Sequence, residues 1–236
     1  MNSSPYQTPY MPVDEQAEVQ RGFITRVYGW MTLGLLVTAL AALFTIATPL
    51  LAVIVTNQFL FFGLIIGELL LVMVISGMVQ RLSPAAAGLL FFAYAALNGV
   101  TLSILVLVYT ETSIALTFGI TACTFGIMTL WGYTTHRDLT KMGSLLSMAL
   151  IGFVLASVVN IFMRNDGLYW ILTYVGILIF IGLIAYDTQK LKMMGLLASQ
   201  NEEFAKKASI TGALSLYLDF INLFLLLLRL LGGRRR

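Results

Sequence analysis

The sequence predicts an all-α integral membrane protein with seven transmembrane helices. Three observations carry that expectation. Of its 236 residues, 59% are hydrophobic and only 11% charged, against roughly 25% charged in soluble domains. The apolar residues gather into seven runs, each near the ~20 residues that cross a hydrocarbon core. The breaks between runs hold turn formers and charges. A net charge of +3 and a pI near 9.0 do not indicate a nucleic-acid partner, because the basic residues separate apolar runs instead of forming a patch with interleaved aromatics. The partner these runs imply is membrane lipid.

The start, MNSSPYQTPYMPVDEQAEVQ, is polar and acidic. It lacks the basic flank and apolar core of a cleavable signal peptide, so residues 1–20 are expected to form a disordered tail before a single transmembrane domain over 21–236. The first span is expected near Val27 to Ala47 and the second near Phe59 to Val79. The next are Ala85 to Val108, Ser113 to Tyr133, Gly143 to Met163 and Leu168 to Asp187, and the last is Ser209 to Leu231. The breaks are Thr48-Pro49, Arg81 to Pro84, Glu111, the HRDLTK segment, the RNDG segment and the polar stretch KLKMMGLLASQNEEFAKK. The spans show no internal repeat at a fixed period. Cys123 is the single cysteine, so no intrachain disulfide forms and the redox compartment is unreadable.

Orientation follows from Lys and Arg placement. Seven spans put 9 of the 14 basic residues on the side of the N-terminus, and the positive-inside rule then makes that side cytoplasmic. The terminal Arg234, Arg235 and Arg236 oppose this. A re-entrant last segment would return them to the cytoplasm, but the final run is long enough to cross, which favours seven spans.

One residue violates the apolar pattern outright. Asp219 lies in ITGALSLYLDFINLFLLLLRLL, ten residues or about 15 Å from Ser209, too deep for a short side chain to reach water. An ionised acid there costs at least ~2.5–3.5 kcal/mol on insertion scales. Gly212, Ser215, Asp219 and Asn222 follow steps of three, four and three, which places them on one face of the helix. A polar stripe faces protein or water, not lipid, so the last helix is expected to be central. Asn98 and Thr101 in the third run, and Ser157 and Asn160 in the fifth, could line that interior, although ordinary interhelical hydrogen bonding is the commoner role of such residues.

A second acid, Asp187, ends the sixth run in GILIFIGLIAYD, with Lys190 close enough for an interfacial ion pair. Two carboxylates a few ångströms apart in a low dielectric titrate as a coupled unit and share one proton near neutral pH. Losing that proton replaces a hydrogen bond with repulsion and leaves hard oxygen ligands that suit Ca²⁺. Glu68, in GLIIGELLLVM, is comparably deep and reads either as pore-lining or as a neutral carboxyl bonded to a neighbour. Arg81 closes the second span at the level of Asp187. His136 belongs to a charged loop and reads as solvated. No nucleophile motif, P-loop, GxGxxG or His/Cys metal cluster stands in the chain, so no enzymatic activity and no cofactor are expected. Paired acids on adjoining helices also occur in intramembrane aspartyl proteases, but those carry GxGD around the second acid and a later PAL. Here the second acid is in SLYLDF and no PAL follows.

The segments GALSLYLDFINLFLLLLRLLG, AYDTQKLK and TRVYGWMTLGLLVTA together closely resemble the bacterial branch of the Bax inhibitor-1 (transmembrane Bax inhibitor motif) family, from about Arg21 to the C-terminus. The resemblance implies six helices wrapped around the last, in a multi-pass protein of the plasma (inner) membrane. It also implies a pH-dependent calcium leak, with Ca²⁺ as the permeant ion. It carries the family's aspartate sensor onto Asp187 and Asp219, which would also meet Ca²⁺ transiently, and a basic latch onto Arg81. Glu68, Asn98, Ser215 and Asn222 are candidate pore-lining groups by their own positions in the spans. The surrounding VQRLSP has a single arginine where relatives carry a basic cluster. A competing implication is an adaptor that modulates a membrane-bound quality-control protease through the tail Met1 to Gln20.

Overall fold

The computed structural model describes residues 13–79, 81–198 and 201–235, and these form helices joined by short turns. In chain order the helices are α1 (Val13–Ala47), α2 (Leu50–Thr56), α3 (Gln58–Met78), α4 (Pro84–Leu102), α5 (Leu105–Val108), α6 (Glu111–Thr134), α7 (Thr140–Met163), α8 (Asp166–Ala198) and α9 (Glu202–Leu231). Among the described residues, seven stretches are long and apolar enough to cross a membrane, and each contains or overlaps one of the expected spans.

The sequence sets the helix starts through side-chain caps. Asn57, Ser83, Thr110 and Asn201 each accept a hydrogen bond from the amide three residues on, which satisfies one of the orphan donors of a first turn. Pro84 follows Ser83 at the first helical position, where its missing N–H costs nothing.

Two boundaries differ from expectation. The tail expected over residues 1–20 is helical from Val13 onward, and residues 1–12 lie outside the described residues. Ala17, Glu18 and Gln20 are good helix formers, and polarity in this stretch marks the membrane edge, not a loss of helix. The polar stretch after Asp187 is likewise helical through Ala198, and α9 resumes at Glu202. Its charges pair along the helix, Lys206 with Glu202 and Lys207 with Glu203, both at 2.7 Å. α1 and α8, at 35 and 33 residues, run about 50 Å, well beyond a ~30 Å hydrocarbon core.

Burial is uneven. Of the most apolar window of α9, 61% is buried, against 6% for α3 and none for α7. α9 packs on α1, α4, α6 and α8, while α3 packs on α4 and α2, and α7 packs on α8. The last helix is the most enclosed, and among the described residues its extensive packing is with four spans. α3 and α7 are outer helices whose Leu, Ile, Phe and Met side chains are widely exposed, as lipid-facing surfaces are.

The C-terminal residues fasten onto the α5–α6 turn. Thr110 N donates to Gly233 O at 3.1 Å and Arg235 N to Val108 O at 2.9 Å. Gly233 N donates to Ser113 Oγ at 3.0 Å, and the Arg235 guanidinium donates to Val106 O at 2.8 Å. This turn lies between the third and fourth spans, on the side opposite the N-terminus. The last run therefore crosses and is not re-entrant.

Candidate functional site

The segment around Asp187 is a docking strip for the α6–α7 hairpin. Ala185 O presses on Gly132, where any Cβ would collide with that carbonyl, so α6 and α8 touch backbone to backbone. The Tyr186 ring fills the space a side chain would occupy at Gly143. Thr188 is fully buried, and its Oγ1 lies 3.4 Å from Tyr28 Oη, which donates to Thr129 Oγ1 at 3.1 Å. Gln189 binds the hairpin loop at both ends of its amide, with Oε1 accepting from Leu139 N and Nε2 donating to Arg137 O, both at 2.8 Å. Lys192 Nζ donates to Tyr133 O at 2.9 Å and stands 4.9 Å from the centre of the Tyr133 ring. Each of these neighbours holds Asp187 in place without bonding to it.

Asp219 faces this strip from α9. Leu191 occupies the notch at Gly212, which sets the antiparallel register of α8 and α9. One turn back along α8 is Asp187, one turn on along α9 is Leu216, and Asp219 is a further turn, about 4.5 Å, beyond. The charge of Asp187 is felt at Asp219, and that of Lys190 at Asp187. Asp219 is 5% exposed, and its Oδ2 is fully buried with no hydrogen-bond partner. Orphaned buried acceptors are rare and costly. Ser215 is half-buried on the same helix.

Arg81 is exposed in the turn after α3. It forms no ion pair among the described residues and is not among the charges acting on Asp187. His136 is exposed in the α6–α7 loop. In that loop the Thr140 hydroxyl and amide hydrogen-bond Asp138 and hold its carboxyl below the usual range.

Glu68 and Asn98 meet in a second polar centre. Thr101 Oγ1 donates to Glu68 Oε1, and Asn98 Nδ2 donates to Glu68 Oε2 at 3.4 Å. Asn98 Oδ1 accepts from Tyr217 Oη at 3.2 Å, and that hydroxyl lies 2.7 Å from Thr38 Oγ1. The chain of bonds ties α3, α4, α9 and α1. Tyr217 is fully buried and meets Phe91 and Tyr94 edge to face. Sequence reasoning passed over Tyr217 and Thr38, although a tyrosine two residues before a buried acid was a usable signal, since buried phenols keep a hydrogen-bond partner.

Asn222 belongs elsewhere. Its Nδ2 donates to Leu218 O at 2.8 Å, and it lines a cavity of about 490 Å³ between α7, α8 and α9, near the end opposite the N-terminus. Ser157 and Asn160 share this lining, while Asp187, Asp219, Asn98 and Glu68 do not. Apart from Ser215, the candidate polar residues of the spans thus occupy three places: the aspartate pair, the Glu68 network and this cavity.

Comparison with known proteins agrees with the sequence resemblance. Residues 20–236 match the model of a family described as inhibitor of apoptosis-promoting Bax1. The chain is 51% identical over 215 residues to the inner membrane protein YbhL of Escherichia coli (strain K12), covering 90% of this chain and 92% of the relative. It is 44% identical over 218 residues to an uncharacterized protein of Borreliella burgdorferi, covering 92% and 94%. An uncharacterized membrane protein of Streptococcus pyogenes is 35% identical over 213 residues, covering 89% and 92%.

Proposed function

The chain belongs to the Bax inhibitor-1 family, and from that premise we propose that it is a proton-sensitive calcium leak of the bacterial inner membrane, gated by Asp187 and Asp219. The observation that carries this reading is the buried, unpartnered Oδ2 of Asp219 facing a second acid on the adjoining helix. With one proton between them, the two carboxyls hold α8 and α9 together. Without it, like charges in a low dielectric push the helices apart and offer oxygen ligands to a cation.

Calcium takes six to eight oxygens, and two carboxylates supply at most four. No cluster of three or more His, Cys, Asp or Glu suited to a metal occurs among the described residues. The pair therefore suits an ion in transit better than a resident one. The N-terminus is proposed to be cytoplasmic, because most Lys and Arg lie on its side. Arg81 acts as a latch only by closing on Asp187, an approach absent from this conformation.

The test is calcium flux into proteoliposomes across a pH series. Flux is expected to depend on pH in the native protein and to lose that dependence in Asp187→Asn and Asp219→Asn. Unchanged flux and unchanged pH dependence in both variants would sink the proposal. Deleting residues 1–12 is expected to spare the leak, whereas an adaptor working through its N-terminal segment would lose its effect.

A further inference from the structure

We propose that the cavity between α7, α8 and α9 binds an anionic phospholipid, with Arg164 and Arg229 holding its phosphodiester. The cavity is about 490 Å³, within the range of small-molecule sites. α8 forms its floor, since both α7 and α9 pack on α8, and Phe153 of α7 and Leu226 of α9 come together over Gly176. One end carries Arg164, Arg229 and Tyr169, and the remaining wall is mainly apolar, with Phe153, Phe180 and Leu226 beside the polar Ser157 and Asn222. A cationic end beside an apolar wall matches a headgroup followed by the start of an acyl chain.

The charges are placed for this. Arginines on the side opposite the N-terminus run against the positive-inside pattern, and those described there are not equivalent. Arg235 is engaged with Val106 O and lies 3.9 Å from Glu111. Arg164 and Arg229 form no ion pair among the described residues. Arg229 lies over the Tyr169 ring, 4.3 Å from its centre. Stacking uses the face of a guanidinium and leaves its in-plane N–H groups for an anion. Asp166 is the single acid in the lining, so the cavity's side-chain charge is one positive. Asp166 also occupies the first turn of α8, where the helix dipole favours it.

Arg164 ends α7 at φ 48°, a left-handed conformation that Gly or Asn adopts at lower cost. Paired arginine N–H groups match phosphate oxygens in geometry as well as charge. A bare calcium ion is repelled by this lining, and a small soluble anion makes no use of the apolar wall.

The experiment is thermal unfolding of the delipidated full chain in neutral detergent, with added phosphatidylglycerol, phosphatidylcholine or inorganic phosphate. Phosphatidylglycerol is expected to raise the Tm, with little effect of the other two. Arg164→Asn, which suits the left-handed backbone, and Arg229→Gln are each expected to weaken the apparent affinity about tenfold, and together to abolish the shift. Arg26→Gln, in the smaller cavity at the other end of the bundle, is expected to leave the shift intact. If Arg229→Gln fails to fold, Arg164→Asn alone still decides. An equal shift from phosphatidylcholine, an undiminished response in the arginine variants, or an equal loss in Arg26→Gln overturns the proposal. A full shift from inorganic phosphate assigns the site to a soluble anion and overturns the lipid.

Discussion

At the scale of single residues, Asp219 and Tyr217 show how differently two buried polar groups can be treated two positions apart. Tyr217 Oη lies between Asn98 and Thr38, whereas Asp219 Oδ2 has no partner. Tyr217→Phe removes the donor to Asn98 Oδ1, while Thr38 Oγ1 keeps the carbonyls of Gly34 and Ala95, and equilibrium unfolding in micelles should report a loss of about 0.5–1.5 kcal/mol, the lower end reflecting the modest worth of interhelical hydrogen bonds in lipid. The depth of Asp219 was legible in the sequence, because one charge in a long apolar run has nowhere to go. The partners of Glu68 were not legible. Spacing along one helix says which side a residue faces but not which side chain on another helix it meets. Asn98 and Glu68 were read as candidates for one interior, and the third member, Tyr217, supplies the link to α9.

Helices add constraints that no single residue shows. Gly132 permits α6 and α8 to touch, while Gly119 and Gly126 on the same helix have open space where a Cβ would go. Gly132→Val should therefore destabilise by about 1–3 kcal/mol through overpacking and lower the Tm. Gly119→Ala and Gly126→Ala should be neutral or raise it, since alanine is the better helix former. The α6–α7 loop carries a pH signature of its own. The carboxyl of Asp138 is held low by Thr140, so its contribution is complete above the unfolded value near ~3.9 and is lost as pH falls through the lower folded value. Amide-exchange protection at Thr140, corrected for intrinsic rates, should hold at pH 5 and drop on acidification below the ordinary aspartate range. Apolar windows located every span, but they report where lipid begins, not where hydrogen bonding ends. That is why α1 and α8 outrun their expected limits. Which spans press most closely on α9 was also out of reach, because an apolar face reads alike toward lipid and toward protein.

At the scale of the whole molecule, the fastening of Gly233 and Arg235 to the α5–α6 turn puts the start of α1 and the end of α9 on opposite faces. Replacing Cys123, the single thiol, by Ser and adding one cysteine at either terminus should give sites that an impermeant thiol reagent labels from opposite sides. In intact spheroplasts the C-terminal thiol should react and the N-terminal one should not. The opposite pattern would invert the proposed orientation. The same placement of α9 bears on how the protein is made. Chains are made N-terminus first, so the most enclosed helix is synthesised after the eight that precede it in the described chain. Until it arrives, α1, α4, α6 and α8 lie in the bilayer with their inner faces bare, and Thr38 and Asn98 lack the Tyr217 hydroxyl. A nascent chain halted before Glu202 is thus a set of helices around a missing core, and the fold closes only once α9 has been made.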